Sequence, residues 1–212
     1  CIEFREAAEL GAVVEQAGVE EVRRQAPGLG LEFPKPQHLG LHGKGHKVLS
    51  QGVLRSGVAH DEWCLVFRLV SLNLNGIRSA ATKGLVPWAE SVSADCMGVQ
   101  ELKAQSADLT PALSTIAGMP GQFHHAEKKG YSGVGLYCRH EPSDVIIGLG
   151  ANDPSGEFDP EGRYVEMRFD KPGRKLSIIS CYFPSGSSGE ERQAAKFRFL
   201  ALMAPHLVKL KA

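Results

Sequence analysis

The sequence predicts an α/β fold, and three observations support this prediction. A nearly continuous apolar, β-prone run spans residues 66–74 and is typical of a strand covered on both faces. A second apolar strand, Cys96–Gln100, follows a helical segment at 84–94, so the three segments form a β-α-β unit with parallel strands. Several short strands separated by Gly and Pro turns follow downstream, which predicts antiparallel additions to the sheet.

Composition and charge exclude several classes of protein. The 212 residues suffice for one domain of ordinary size with a sizeable core. Lys and Arg (24) balance Asp and Glu (24), so no global basic field indicates nucleic-acid binding, although a local basic face remains open. No apolar run reaches the roughly 20 residues of a membrane helix, and no signal-peptide pattern is present.

Cysteine usage indicates a reducing compartment. The number of cysteines is odd and none form a CxxC pair, so we expect reduced thiols and a soluble, cytoplasmic protein with no membrane partner. The five are Cys1, Cys64, Cys96, Cys138 and Cys181.

Residues 1–65 are expected to form a poorly structured leader. Residues 1–25 have a helical composition, which favours two short helices. From residue 26 to about residue 60 the sequence is rich in Gly, Pro and His, which favours loop or disorder. Histidines recur there at every fourth residue, but intervening glycines disfavour a helix and no acidic or cysteine ligand joins them. We therefore expect no metal site at His38, His42 and His46.

Periodicity and turn signals define the segments downstream of residue 66. Gly84 and Pro87 mark the start of the first helix, which ends near Ala94. The closing helix spans residues 190 to about 209, and its spacing predicts a core-facing stripe of Phe197, Leu200, Met203 and Leu207. Between these helices we predict a helix at 107–117 and strands at 122–126, 134–138, 144–147, 164–169 and 176–182.

Polar side chains stand where the two buried strands end. Asn73 and Asn75 follow the first strand, and Glu101 and Lys103 follow the second. In layered α/β proteins, ligands bind at the C-terminal ends of the strands, so these groups could hold a metal, a phosphate or a water. The alternative is that Asn75 and Gly76 form only a turn. Because the two strands are expected to be parallel neighbours, Asn73 and Glu101 should project from the same edge of the sheet.

Four short motifs, taken in order, carry a family resemblance. They are Asn73-x-Asn75-Gly76, Gln100-Glu101-x-Lys103, Gly130-Tyr131-Ser132-Gly133-Val134-Gly135 and Cys181-Tyr182-Phe183-Pro184, and a D-x-E-G-R stretch at 159–163 keeps the same order. Each motif is weak alone, but the ordered set closely resembles the exonuclease III family of DNA-repair nucleases and abasic-site endonucleases. The resemblance covers about residues 66–212 and places them in the larger endonuclease/exonuclease/phosphatase fold.

The resemblance implies the N-terminal portion of a two-sheet, four-layer α/β sandwich. It also implies Mg²⁺-dependent hydrolysis of DNA phosphodiesters, with Mn²⁺ able to replace Mg²⁺, by 3′–5′ exonuclease and abasic-site endonuclease activity. The implied partner is double-stranded DNA with abasic sites or 3′ ends, and the complete family protein is expected to be a monomer.

The resemblance also assigns residues to roles. Glu101 aligns with the family's metal-binding glutamate, and a carboxylate oxygen is the ligand type that Mg²⁺ selects. Asn73 aligns with the asparagine that orients the carboxylates, the metal or the phosphate, and Asn75 falls near the metal. Tyr182 aligns with the tyrosine at the scissile phosphate; without the resemblance, it is equally a half-buried aromatic at a strand end. Contacts with the DNA backbone are expected from Lys103, Lys128, Lys129, Gly130, Tyr131 and Arg163.

The sequence departs from the family pattern after Tyr182. The family continues into a Gly-Asp-x-Asn motif and an Asp-His pair, whereas no Asp or Asn follows Tyr182 here, and we read His206 as a surface residue. We therefore expect that the C-terminal catalytic motifs are absent, that the chain is inactive and that a large apolar face is exposed. The alternatives are the same fold acting on RNA or on a phosphorylated lipid or inositol, and a non-catalytic DNA-binding fragment.

Overall fold

Two β-sheets and their flanking helices make up the part of the protein that the structure describes. The structure is a computed structural model, and it describes residues 48–54, 67–173, 175–186 and 189–211. The strands are β1 (Val48–Leu54), β2 (Phe67–Asn73), β3 (Cys96–Gln100), β4 (Thr115–Ile116), β5 (Met119–His124), β6 (Val134–Cys138), β7 (Asp144–Ile147), β8 (Tyr164–Arg168) and β9 (Ser177–Cys181). The helices are α1 (Ile77–Thr82), α2 (Leu85–Val92), α3 (Pro111–Ser114) and α4 (Glu190–Lys211), with 3₁₀ turns at Ser106–Asp108, Gly150–Asn152 and Asp159–Glu161.

The strand order confirms the predicted β-α-β unit. The larger sheet has the order β1-β2-β3-β6-β5-β4, and the smaller sheet has the order β7-β8-β9. β2 and β3 pair in parallel, with Asn73 opposite Gln100, whereas the other neighbouring strands in the described residues pair antiparallel. Asn73 and Glu101 therefore leave the sheet at the same edge, as the sequence predicts.

The elements stack in four layers, which confirms the predicted two-sheet α/β sandwich. One face of the larger sheet packs on α1 and α2 through a core that contains Val70 and Val99. Its other face packs on the smaller sheet, where Leu136 and Val165 belong to one buried cluster. α4 covers the outer face of the smaller sheet through a third cluster that contains Phe199. The alternating burial along β2 follows from this arrangement, because successive side chains point to opposite faces.

Strand β1 corrects the prediction that residues 26–60 form loop or disorder. Val48–Leu54 pairs antiparallel with β2, with Leu54 opposite Phe67, and forms an edge of the larger sheet. The Gly and Pro content of the surrounding stretch disfavours a strand locally, whereas pairing with β2 supplies the backbone hydrogen bonds of Val48–Leu54. The predicted N-terminal helices and the three spaced histidines lie outside the described residues.

The predicted helix at 107–117 is wrong. The structure instead has a 3₁₀ turn, the four-residue α3 and the strand β4, which forms a tight hairpin with β5. Ala117 (φ 52°) and Gly118 (φ 72°) close this hairpin in the left-handed region that two-residue hairpin turns require. α1 at Ile77–Thr82 was not predicted either, although it starts directly after Gly76.

Helix α4 confirms the predicted closing helix and part of its predicted buried face. Met203 is buried and Leu207 packs against the same cluster, as predicted, whereas Phe197 (59% exposed) and Leu200 (39% exposed) are not buried. The buried positions of the helix are Ala195, Phe199, Met203 and His206. No helix in the described residues is long and apolar enough to cross a membrane.

His206 is buried, which corrects its assignment to the surface. Its Nε2 lies 2.7 Å from the hydroxyl oxygen of Tyr164, and that hydroxyl donates to Glu166 Oε2 at 2.6 Å. Because Tyr164 gives its only proton to Glu166, His206 Nε2 must donate to Tyr164. Burial lowers the pKa of His206, although the nearby Glu166 opposes this shift. The histidine therefore fastens α4 to β8 as part of the core.

Three of the five cysteines lie in the described residues. Cys96, Cys138 and Cys181 form no disulfide there, and Cys96 and Cys138 are fully buried within the sheet. Cys1 and Cys64 lie outside the described residues.

Candidate active site

The candidate site begins at Glu101, the first residue after β3. Its backbone has φ 55°, and Lys103 has φ 48°, conformations that side-chain-bearing residues seldom adopt. Both are held by hydrogen bonds from flanking loops: Gly76 N–H donates to Glu101 O at 2.8 Å, and Lys103 N–H donates to Ser132 O at 2.9 Å. This strained backbone persists because two neighbouring segments fix it. The Glu101 side chain is therefore aimed by three segments of the chain acting together.

Three predicted site residues meet at the Glu101 carboxylate. Asn73 Nδ2 donates to Oε1 at 2.7 Å, and the Tyr182 hydroxyl donates to the same oxygen at 2.8 Å. Lys103 Nζ lies 2.9 Å from Oε2. Burial alone would raise the pKa of Glu101, but the hydrogen bonds from Asn73, Lys103 and Tyr182 lower it below its usual value. The carboxylate is therefore ionised at neutral pH.

The Tyr182 hydroxyl is protonated and donates its hydrogen bond to this carboxylate. Tyr182 follows β9, and burial raises the pKa of its phenol, as does the hydrogen bond to ionised Glu101. A protonated phenol can donate a hydrogen bond to a carboxylate or to a phosphate oxygen. The role of Tyr182 at a scissile phosphate stays a prediction.

Asn75 lies at the rim of the site. It is exposed, its backbone N–H donates to Asn73 Oδ1 at 3.1 Å, and its Oδ1 accepts a hydrogen bond from Lys103 Nζ. Its φ of 48° is the left-handed conformation that Asn tolerates. Asn75 is thus both the turn residue of the alternative interpretation and a member of the polar cluster.

A second polar cluster lies beside Tyr182 and is centred on Arg163. The Arg163 side chain is only 2% exposed, and its Nε donates to Glu161 Oε2 at 2.6 Å. Its Nη1 donates to Tyr182 O at 2.7 Å, and its Nη2 donates to the Tyr131 hydroxyl at 3.1 Å. The guanidinium carbon lies 5.3 Å from the centroid of the Tyr182 ring. Arg163 was predicted to contact DNA, but the structure places it behind the tyrosines, where it supports them.

The other predicted DNA contacts are spread over the rim. Lys128, Lys129 and Gly130 are exposed, and Lys128 Nζ lies 5.6 Å from the centroid of the Tyr131 ring. Tyr131 is half-buried and donates to Glu161 Oε1 at 3.1 Å. The structure therefore brings Lys103 and Tyr131 into the site and leaves the two adjacent lysines on its outer edge.

A cavity of about 220 Å³ joins the two clusters. Sequence reasoning missed four of the residues involved. Ser185 follows the Cys-Tyr-Phe-Pro motif directly, Ser132 lies inside the Gly-rich motif, and Glu161 belongs to the D-x-E-G-R stretch, so each stood next to a recognised signal. Arg192 had no such signal, because only the packing of α4 brings it to the site. The lining residues are Glu101, Lys103, Tyr131, Ser132, Arg163, Tyr182, Ser185 and Arg192.

The donor atoms at Glu101 fit a hard divalent cation. Glu101 supplies a carboxylate, and Asn73 Oδ1 is an amide oxygen with room for a second partner, both of which Mg²⁺ accepts. Mg²⁺ usually keeps several waters and takes one or two carboxylates plus substrate phosphates. Across the described ranges, no group of three or more His, Cys, Asp or Glu is placed to hold a metal. A cation at this site would therefore depend on water and phosphate oxygens for the rest of its ligands.

Comparison with known protein families assigns this chain to a family. The model of the Endonuclease/Exonuclease/phosphatase family matches residues 70–206, which contain every cluster residue described above. The chain belongs to the endonuclease/exonuclease/phosphatase family. This membership confirms the resemblance carried by the four motifs.

Similar members of the endonuclease/exonuclease/phosphatase family are DNA-processing enzymes by name. The chain is 28% identical to an exodeoxyribonuclease of Bacillus subtilis (strain 168), with 68% of this chain and 53% of that protein covered. It is 32% identical to the DNA repair nuclease APEX1 of Danio rerio, with 58% and 37% covered. The chain spans about half or less of the length of these relatives.

Solved structures of the family share the fold. The catalytic domain of Xenopus laevis APE2 matches with a TM-score of 0.54 at 26% identity, covering 66% of this chain and 54% of that one. An AP endonuclease from Archaeoglobus fulgidus matches with a TM-score of 0.56 at 25% identity, covering 68% and 51%. The similarity therefore lies on the exonuclease III-like, AP endonuclease side of the family.

Proposed function

We propose that this chain is part of a DNA-repair nuclease that acts on phosphodiesters in double-stranded DNA at abasic sites or 3′ ends. One observation carries the proposal: Asn73 and Tyr182, from two separate motifs, both donate hydrogen bonds to the Glu101 carboxylate of a third motif, at the wall of a cavity. The names of similar proteins support DNA as the substrate.

The residues of this chain would bind and orient a phosphate. Lys103 and Arg192 line the cavity and add positive charge where a phosphate would enter. The protonated Tyr182 phenol would donate a hydrogen bond to a non-bridging oxygen and offset charge that develops on it. Asn73 holds the Glu101 carboxylate in place through its amide N–H.

A divalent cation, Mg²⁺ or Mn²⁺, would be held by Glu101 and Asn73, with Asn75 at the rim. When bound, such a cation polarises the phosphoryl oxygen and lowers the pKa of bound water. Lys103 Nζ lies 2.9 Å from Glu101 Oε2, so Lys103 would neutralise this carboxylate wherever the cation does not.

We further propose that the 212 residues on their own bind DNA without cleaving it. The residues that line the cavity include no aspartate or histidine in the described part of the chain, so none is placed to take a proton from water. The cavity nevertheless carries Lys103, Arg163 and Arg192 against Glu101, and Glu161 pairs with both arginines. The one positive charge that remains favours the retention of a phosphate backbone.

A binding and nicking assay with matched variants tests both parts. A labelled duplex containing a tetrahydrofuran abasic analogue is titrated with the full chain in Mg²⁺, beside intact duplex and RNA of the same sequence. We expect salt-sensitive binding that favours the abasic duplex, with no nicked product. Glu101→Gln keeps the size of the side chain and should weaken the Mg²⁺-dependent part of binding.

Each result bears on one part of the proposal. Absence of DNA binding would overturn the assignment to a DNA-repair nuclease, and preference for RNA would move the proposal to that substrate. Nicking that Glu101→Gln abolishes would overturn only the statement that these residues do not cleave alone.

A further inference from the structure

The Glu161 carboxylate is the meeting point of three elements that are distant in sequence. It accepts hydrogen bonds from Arg163 Nε at 2.6 Å, from the Tyr131 hydroxyl at 3.1 Å and from Arg192 Nη1 at 3.2 Å. Tyr131 belongs to the Gly-rich loop before β6, Arg163 precedes β8, and Arg192 lies in the first turn of α4. Neither the family assignment nor the sequence motifs give Glu161 a role.

The segment that carries Glu161 is itself fixed. Glu127 N–H donates to Pro160 O at 2.8 Å, and the Asp159 carboxylate accepts the Leu149 N–H at 2.6 Å. Gly162 has φ 63°, and a Cβ there would lie 2.5 Å from the backbone nitrogen of Ala126. Glu161 therefore projects from a rigid turn into the space behind the site.

Arg163 connects Glu161 to Tyr182. The buried guanidinium needs a carboxylate partner, and Glu161 supplies it. The same guanidinium donates to the carbonyl of Tyr182 and lies against its ring, and the Tyr182 hydroxyl reaches Glu101. A continuous path of contacts thus runs from Glu161 through Arg163 and Tyr182 to Glu101.

We propose that Glu161 is a positioning residue that fixes Tyr182 and Tyr131 through the buried Arg163. The function of this positioning rests on the proposed DNA-binding role of the site, whereas the positioning itself can be measured without DNA. Arg192 of α4 donates to the same Glu161 carboxylate, so the helix also helps to position Glu161 although it supplies no group to Glu101.

Glu157 provides a matched control four residues away. It forms a two-bonded ion pair with Arg198, at 2.6 and 2.8 Å, so it also joins this turn region to an arginine of α4. That pair is exposed and lies outside the cavity lining. Glu157→Gln therefore removes a carboxylate–arginine contact with α4 and leaves the tyrosines untouched.

The test uses ¹⁹F NMR of the full chain labelled with 3-fluorotyrosine. The chain has four tyrosines, and four variants, each with one Tyr→Phe substitution, assign the four resonances. We expect Glu161→Gln to displace or broaden the Tyr131 and Tyr182 resonances, while Tyr137, which donates to Leu113 O on the other side of the sheet, stays unchanged. Glu157→Gln should leave all four at their wild-type positions.

Glu161→Gln leaves Arg163 as an uncompensated buried cation, so this variant could fail to fold. A second variant keeps the proposal testable in that case. The double variant Glu161→Gln/Arg163→Met removes both charges and should fold while showing the same displacement of Tyr182. A Tyr182 resonance at its wild-type position in either folded variant would overturn the proposal.

Binding of the abasic duplex gives an independent readout. Glu161→Gln should weaken binding about tenfold, because a displaced Tyr182 loses its charge-assisted hydrogen bond to the phosphate. Glu157→Gln removes the same charge and should not weaken binding. If the fluorotyrosine resonances move but neither variant nor wild type binds DNA, the positioning role stands and the proposed nuclease function falls.

Discussion

Replacing Gly162 by alanine should destabilise the turn that supports the site. Gly162 joins Glu161 to Arg163 with φ 63°, and a Cβ there would meet Ala126 N at 2.5 Å, His125 C at 2.5 Å and His124 O at 2.7 Å. These are backbone atoms at the end of β5, so they cannot turn aside as a flexible side chain can. The alanine must therefore push the whole turn away from β5.

The expected cost has two parts. A side-chain-bearing residue in the left-handed region costs about 1–2 kcal/mol. Overpacking against an unyielding neighbour adds about 1–3 kcal/mol. We therefore expect Gly162→Ala to lower the free energy of unfolding by about 2–5 kcal/mol.

Gly130→Ala is the matched control for this prediction. Gly130 has nearly the same φ, 70°, but an added Cβ would meet no atom within 4 Å. It should show the conformational cost alone, about 1–2 kcal/mol. Urea unfolding of both variants, followed by circular dichroism, should separate their midpoints by about 1 M. Equal midpoints would refute the argument that an alanine at position 162 costs more than one at position 130 because of its contacts with the backbone after β5.

Three further outcomes follow from the contacts. Tyr182→Phe should raise the pKa of Glu101, read from the ¹³C carboxyl shift, because one of its hydrogen-bond donors is lost; an unchanged pKa would contradict the arrangement. His206→Gln should remove part of the acid sensitivity. Burial holds the pKa of His206 in the folded protein below its ordinary value, so the contribution of this histidine to stability is complete above the ordinary value and is lost as the pH falls toward the folded-state value. Urea midpoints at pH about 7 and about 5 would show this loss in wild type and less of it in the variant. Ser180→Ala should cost about 1–3 kcal/mol because its buried hydroxyl donates to Val99 O, whereas Ser132→Ala should cost close to nothing because its buried hydroxyl has no partner in the described residues; equal thermal shifts would contradict this contrast.

Much of the fold could be predicted from the sequence because its strands carry strong local signals. The bounds predicted for Cys96–Gln100, 134–138 and 144–147 coincide with β3, β6 and β7. These segments are apolar runs bounded by turn residues, so local pattern and tertiary role agree. The helix predicted at 107–117 failed because the tertiary pairing of Thr115–Ile116 with β5 outweighs a helical composition that Pro111 and Gly118 interrupt.

The site could be predicted only as far as its motifs reach. Asn73 and Glu101 stand at the ends of neighbouring strands, so strand order brings them together, whereas the packing of the two sheets brings Tyr182 to them. Arg192 and His206 could not be predicted, because each depends on the rotation of α4 about its axis, which shifted the buried face from Phe197 to Phe199. Helical spacing in the sequence gives the period of the buried face but not always its phase when apolar residues occur on two sides.

The left-handed backbone at Glu101 and Lys103 has a consequence for any attempt to transplant this site. Their dihedral angles are not a property of the peptide Glu101–Lys103, because they depend on carbonyl and amide groups from the loops at 76–77 and 132–133. A graft of that peptide onto another scaffold would relax and turn the carboxylate elsewhere. The smallest portable version of this chemistry is therefore a set of three crossing loops, and a design that borrows it must borrow all three.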